Sequence, residues 1–227
     1  RGVGHDGLVH GVVEAPARLE AEVDLERARV RLVVERLAAG RYLHLTIEQK
    51  GLDVEATLIP PTGEAIKINN AGSTTGAEQI FADAPGDYRL EIERKQPKTG
   101  GDYEISLNEP PNENGRGSLF VAAQSNVVKG QAGLKQKDRQ KAIAQFEEAL
   151  GRWRAGGEIL EQLHTLHELG SMHFNAGAFE LAKQKYQEEL ELSGKTGNRT
   201  MEALALNALL ALQFYLLGIA LAFAPVA

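Results

Sequence analysis

The stretch Leu163–Thr196 reads LHTLHELGSMHFNAGAFELAKQKYQEELELSGKT, and its spacing of small and large apolar residues decides how the second half of the chain folds. Leu166, Leu169, Gly170 and Phe174, then Ala182, Tyr186 and Leu190, recur at intervals of three, four or their multiples, so each set lines one face of a helix. Asn175, Ala176 and Gly177 interrupt the pattern and place a turn between two helices. A shift of forty residues carries Gly130 onto Gly170, Ala142 onto Ala182, Phe146 onto Tyr186, Leu150 onto Leu190 and Gly157 onto Gly197. The same shift carries Leu166, Leu169 and Phe174 forward onto Leu206, Leu209 and Phe214. A fixed period of this size predicts stacked helix pairs, none able to bury its apolar face alone.

Leu166, Leu169-Gly170, Phe179, Ala182 and Tyr186 stand where the tetratricopeptide repeat places its signature residues, and the stretch resembles a forty-residue variety of that family. Glu189 departs from it, standing where alanine is usual, and Gly194 stands where proline is frequent. The expected helices are 119–136, 138–155, 158–176, 179–193 and one or two from Arg199 onward, with Ser118 as the cap of the first.

Before this region the period is two. Leu19, Ala21 and Val23, then Val30, Leu32 and Val34, then Leu43, Leu45 and Ile47 alternate with mostly polar neighbours, the pattern of strands with one buried face. Further strands are expected at 54–59, 65–69, 79–82, 88–93 and 103–107, divided by turn sequences such as Lys50-Gly51, Pro60-Pro61-Thr62-Gly63 and Pro85-Gly86-Asp87. Residues 1–16 are Gly-rich and predict a frayed end or an edge strand. About eight short strands at this spacing indicate an antiparallel sandwich.

The segments Leu37–Tyr42, Gly51–Val54, Pro60–Gly63, Ala84–Tyr88 and Gly101–Tyr103 resemble, in order, the strand and hairpin motifs of the bacterial pre-peptidase C-terminal domain. The expected fold is therefore multidomain β + α: a jelly-roll-like antiparallel β-sandwich over 1–109, a Pro/Gly linker over 110–117, and a tetratricopeptide-like solenoid over 118–227. This order of parts is similar to the amino-terminal region of bacterial repeat proteins ending in a caspase-like CHAT peptidase domain. The resemblance implies a bacterial, non-catalytic scaffold and favours the cell envelope over the cytoplasm. Arg1 in place of Met, and repeats with no polar closing helix, are expected of a fragment whose array continues.

Composition sets further bounds. The 227 residues, 43 % hydrophobic and 25 % charged, suit a water-soluble chain of one or two domains. The net charge of −6 is uneven: residues 1–115 hold 13 Lys+Arg against 20 Asp+Glu, a net of −7, and residues 116–227 hold 12 against 11, a net of +1. That distribution argues against a nucleic-acid partner, and the cluster Lys129, Lys135, Lys137, Arg139 and Lys141 reads as a solvated helix face. With no cysteine, the chain has no disulfide, thiolate metal site or Cys nucleophile. It contains no Gly-x-Ser-x-Gly, no His-Glu-x-x-His and no phosphate loop, so no enzyme activity and no cofactor are expected.

The candidate binding surface follows from the resemblance, in which the first helix of each pair lines a concave groove for a peptide or a partner protein. Carried over residue by residue, the groove takes Gln124, Val127, Gln131, Leu134 and Lys135, then His164, His167, Ser171, Phe174 and Asn175, then Leu204, Asn207, Ala211, Phe214 and Tyr215. Val127, His167 and Asn207 stand where some members carry a carboxylate-binding lysine, so that clamp is not reproduced. The groove could equally receive another domain of the parent chain, such as the peptidase, or the repeats could be a purely structural spacer. A carbohydrate-binding sandwich is a further alternative, with Tyr42, Phe81, Tyr88 and Tyr103 as a stacking platform, although such residues more often fill a core. His164, His167, Glu168 and His173, or the turn carboxylates Asp53, Asp83, Asp87 and Asp102, are weak metal candidates, and packing is the better reading. Residues 203–227 carry no charge and have the length of a membrane span, but they keep the repeat register and read better as a buried repeat helix.

Overall fold

The computed structural model describes residues 9–13, 19–24, 29–51, 53–63, 65–68, 75–94, 102–108 and 112–222. Among the described residues nine strands come first: β1 (Val9–Val13), β2 (Leu19–Asp24), β3 (Arg29–Leu37), β4 (Leu43–Lys50), β5 (Val54–Ile59), β6 (Ile66–Ile68), β7 (Thr75–Ala82), β8 (Gly86–Arg94) and β9 (Asp102–Asn108). Five helices follow: α1 (Arg116–Lys135), α2 (Arg139–Gly156), α3 (Ile159–Asn175), α4 (Phe179–Thr196) and α5 (Arg199–Ala222). The chain divides into two compact units, Arg1–Val121 and Ala122–Ala227.

In the first unit the strands form a four-stranded sheet, β1-β9-β4-β7, and a five-stranded sheet, β2-β3-β8-β5-β6. Among the described residues every pairing is antiparallel except β1 with β9, which corrects the expectation of an entirely antiparallel arrangement. The expected edge strand within 1–16 is β1; the other residues of that stretch lie outside the described residues. The period-two pattern works as the physics of a pleat requires: Leu43, Leu45 and Ile47 of β4 point to one side, and Leu45 pairs laterally with Ile80 on β7 and Leu107 on β9. Val54, Ala56 and Leu58 do the same on β5, where Leu58 faces Leu90 of β8. One buried cluster takes side chains from both sheets, so the two rows of apolar residues hide each other from water.

Two polar side chains at this cluster have hydrogen-bond partners. The Tyr88 hydroxyl donates to the Ala84 carbonyl at 2.6 Å, and burial raises its pKa to about 12. Gln49, 3 % exposed at the end of the β4 row, accepts from the Val54 amide at 2.9 Å and donates to Glu78 at 3.2 Å.

The expected linker is partly structured. Residues Glu113–Gly115 form a 3-10 turn, and α1 starts at Arg116, three residues before the expected Leu119. The cap is Asn112, not Ser118: its Oδ1 accepts the Gly117 amide at 2.7 Å, while the Ser118 hydroxyl donates to Asp83 at 3.0 Å. The first residues of α1 belong with the strands because Gly117 lies against Tyr42 and Phe120 packs on Tyr42 and Phe81, with centroids 6.0 and 4.8 Å apart.

The helices of the second unit show a recurrence at forty residues. Gly130 of α1 lies against Phe146 of α2, and Gly170 of α3 against Tyr186 of α4; a Cβ at either glycine would fall 2.6 or 2.4 Å from the ring. Only a residue without a side chain permits such an approach. Gly157 and Gly197, again forty apart, end α2 and α4 in the left-handed conformation, with φ of 73° and 71°. α5 is a single helix of 24 residues, with Met201, Ala205 and Leu212 buried and Leu212 clustered with Ala182 and Tyr186 of α4.

Candidate functional site

α3 exists because its apolar residues repeat at helical spacing, and this leaves a second, mixed side. His164, His167, Ser171, Phe174 and Asn175 follow one another along that side; the first four are half-buried and Asn175 is exposed. On α5 the corresponding Leu204, Asn207, Ala211, Phe214 and Tyr215 are all exposed. α1 behaves differently: Gln124 and Val127 are buried, Gln131 is half-buried, and only Leu134 and Lys135 of its expected lining are exposed. Of the expected lining, the exposed and half-buried residues therefore lie mainly on α3 and α5.

The structure brings part of this set together. Phe174 meets Tyr215 at 5.3 Å and Phe179 at 5.8 Å, and Phe179 meets Tyr215 at 5.4 Å, an aromatic trio joining α3, α4 and α5 in tilted and edge-on contacts. His164, Ser171, Asn175, Asn207 and Phe214 take no part in it.

His167 has a partner that its own helix cannot supply. Its Nδ1 stands 3.2 and 3.1 Å from the two carboxylate oxygens of Glu189 on α4, and Glu189 is fully buried. Glu189 is the residue that departs from the repeat pattern, a charge in an otherwise apolar stripe, and that departure was the one sequence signal available for the pair. Its hydrogen bond to Glu189 raises the His167 pKa, and burial raises that of Glu189, so each group holds its proton to higher pH than it ordinarily would. The ring of His167 also lies 5.6 Å from that of Tyr186, whose hydroxyl pKa burial pushes up. His173 is buried, its pKa lowered by that burial, and it serves as packing.

The metal candidates are not assembled: among the described residues no three His, Cys, Asp or Glu side chains are arranged to hold an ion. The stacking platform is overturned more directly. Tyr42, Phe81, Tyr88 and Tyr103 are 6, 0, 1 and 9 % exposed, so no sugar face can reach them. By length and composition alone, Arg199–Gly218 of α5 is long and apolar enough to cross a membrane, and little of it is buried against the protein. The expectation of a buried repeat helix thus holds for one side of α5 and fails for the other.

Among solved structures, the pre-peptidase C-terminal domain of a collagenase from Bacillus anthracis is similar to 47 % of this chain over 100 % of its own length, at 12 % identity and a TM-score of 0.28. No family model matches the chain, and no curated protein matches it.

Proposed function

We propose that the chain is a non-catalytic recognition module in which tetratricopeptide-like helix pairs bind an extended peptide or a helix of another protein along α3 and α5. The strand unit is read as a jelly-roll-like sandwich that positions this surface. The repeat reading is supported by the paired approaches Gly130–Phe146 and Gly170–Tyr186 and by the matching helix ends at Gly157 and Gly197. One observation carries the binding reading: Phe174 and Tyr215, assigned separately to the lining, meet across two helices, beside exposed Asn175, Asn207 and Ala211. Aromatic and amide groups presented together suit a peptide, whose apolar side chains and backbone both need partners. The resemblance of the sequence adds a place for the module within a bacterial peptidase-containing protein.

Alanine at His167 would strand a buried carboxylate, so the test spares that residue. A displayed random-peptide library is selected on the wild-type chain and counter-selected on Asn175→Arg/Asn207→Arg, two changes at exposed positions of the proposed lining. Enriched peptides should lose binding to the double variant by tenfold or more, equivalent to about 1.4 kcal/mol. Peptides that bind both equally, or no enrichment, would leave the repeats as a spacer.

A further inference from the structure

Forty residues separate Leu163, Leu166 and Gly170 of α3 from Ala203, Leu206 and Leu210 of α5. Each set runs along one side of its helix at intervals of three and four. On α3 that side is covered, with Leu163 and Leu166 fully buried and Tyr186 of α4 against Gly170. On α5 nothing among the described residues covers it: Leu206, Leu210 and Leu217 are 45, 50 and 54 % exposed, and Phe214 at the margin of the stripe is 70 % exposed.

α1 carries polar and small residues at the positions equivalent to a buried part of α3, and its Asn126 is itself only 6 % exposed. Where α3 has buried Leu166, Leu169 and Met172, α1 has Asn126, Lys129 and Ala132. Asn126 donates to Gln145 and Glu148 at 2.8 and 3.0 Å and accepts from Arg152 at 2.8 Å, beside an open cleft of about 570 Å³ lined by polar and apolar groups alike. α5 has undergone no such replacement, so its leucine stripe is built to be covered.

Leu210 restricts what can cover it. Gly130 and Gly170 each admit an aromatic ring sixteen residues later in the chain, so close that no Cβ would fit. A leucine at that register position blocks a helix of the α2 or α4 kind from seating its ring there. A helix that meets leucine with leucine fits instead, and α5 is one: Ala203, Leu206, Leu210 and Leu217 are spaced by three, four and seven, the pattern of a helix-pairing seam. No residue from 203 to 222 is charged, so two copies approach without repulsion between like charges. We propose that the chain self-associates through α5, the leucine stripe of one copy packing on that of a second. With three leucines from each copy the interface is small, and the dimer dissociates on dilution.

Sedimentation velocity on the 227-residue chain from about 1 to about 200 µM tests this. The mass should rise from 24.6 kDa toward twice that value with concentration. Leu210→Lys should remain monomeric throughout with an unchanged helical circular dichroism spectrum. Because the chain lacks cysteine, Leu210→Cys should give a disulfide-linked dimer on mild oxidation, and Glu168→Cys on α3 should not. A monomer over the whole range, a dimer that survives Leu210→Lys, open-ended aggregates, or a monomer that floats with phosphatidylcholine vesicles through α5 would each overturn the proposal.

Discussion

Two glycine-to-alanine changes should move the helical unit in opposite directions. Gly151 lies inside α2 with open space where a Cβ would go, so Gly151→Ala gains helix propensity alone, about 0.5–1 kcal/mol. Gly170 lies inside α3, and its Cβ would stand 2.4, 2.7 and 2.9 Å from ring atoms of Tyr186, a side chain only 5 % exposed. The ring cannot swing into solvent without opening the α3/α4 contact, and overpacking of this kind costs about 1–3 kcal/mol. Propensity offsets only part of that cost. The two variants should therefore differ by about 1–3 kcal/mol, Gly151→Ala above the wild type and Gly170→Ala below it. Urea unfolding followed by helical circular dichroism would read the difference as separated midpoints at a constant slope. Trimming the ring in Gly170→Ala/Tyr186→Leu should recover part of the loss, since the clash and the ring vanish together. If Gly170→Ala stabilises as much as Gly151→Ala, the close approach is wrong, and the forty-residue equivalence built on it fails as well.

The remaining predictions concern the His167–Glu189 pair and the hydrogen bonds at the start of α1. The folded-state pKa values of both His167 and Glu189 are raised, so the native chain holds more protons than the unfolded chain, and stability falls as pH rises. The decline should begin above the ordinary Glu value of 4.5 and continue above the ordinary His value of 6.5; midpoints measured across that range should slope less in Glu189→Ala than in the wild type. An identical slope in the variant would remove the pair as its cause. At the start of α1, Asn112→Ala should cost about 1 kcal/mol through loss of the Gly117 cap, and Ser118→Ala, whose bond to Asp83 is exposed, should cost less. Chemical denaturation followed by tyrosine signals would reverse the assignment if Ser118→Ala proved the costlier change.

Much of this molecule is legible in short windows of its chain. Leu43, Leu45 and Ile47 announce a half-buried strand, and Leu166, Leu169 and Gly170 a helix face, because the geometry of a pleat or a helical turn is set by adjacent residues. Gly130 and Gly170, like Phe146 and Tyr186, fall at equivalent positions of the forty-residue shift, and folding sets each glycine against its ring. Other features depend on residues that meet only after folding. The parallel pairing of β1 with β9 joins Val9 to Tyr103, and no local pattern encodes the strand order that places them side by side. Glu189 looks like a flaw in an apolar stripe until α4 sets it against His167, twenty-two positions away. The same holds for exposure: the aromatic residues assigned to a sugar platform are sealed in the strand unit, while of those assigned to the peptide groove Asn175 and the α5 positions are exposed and His164, His167, Ser171 and Phe174 are half-buried. Periodicity tells a segment which of its sides avoids water; what takes the place of water there is settled by the segments that arrive from elsewhere in the chain.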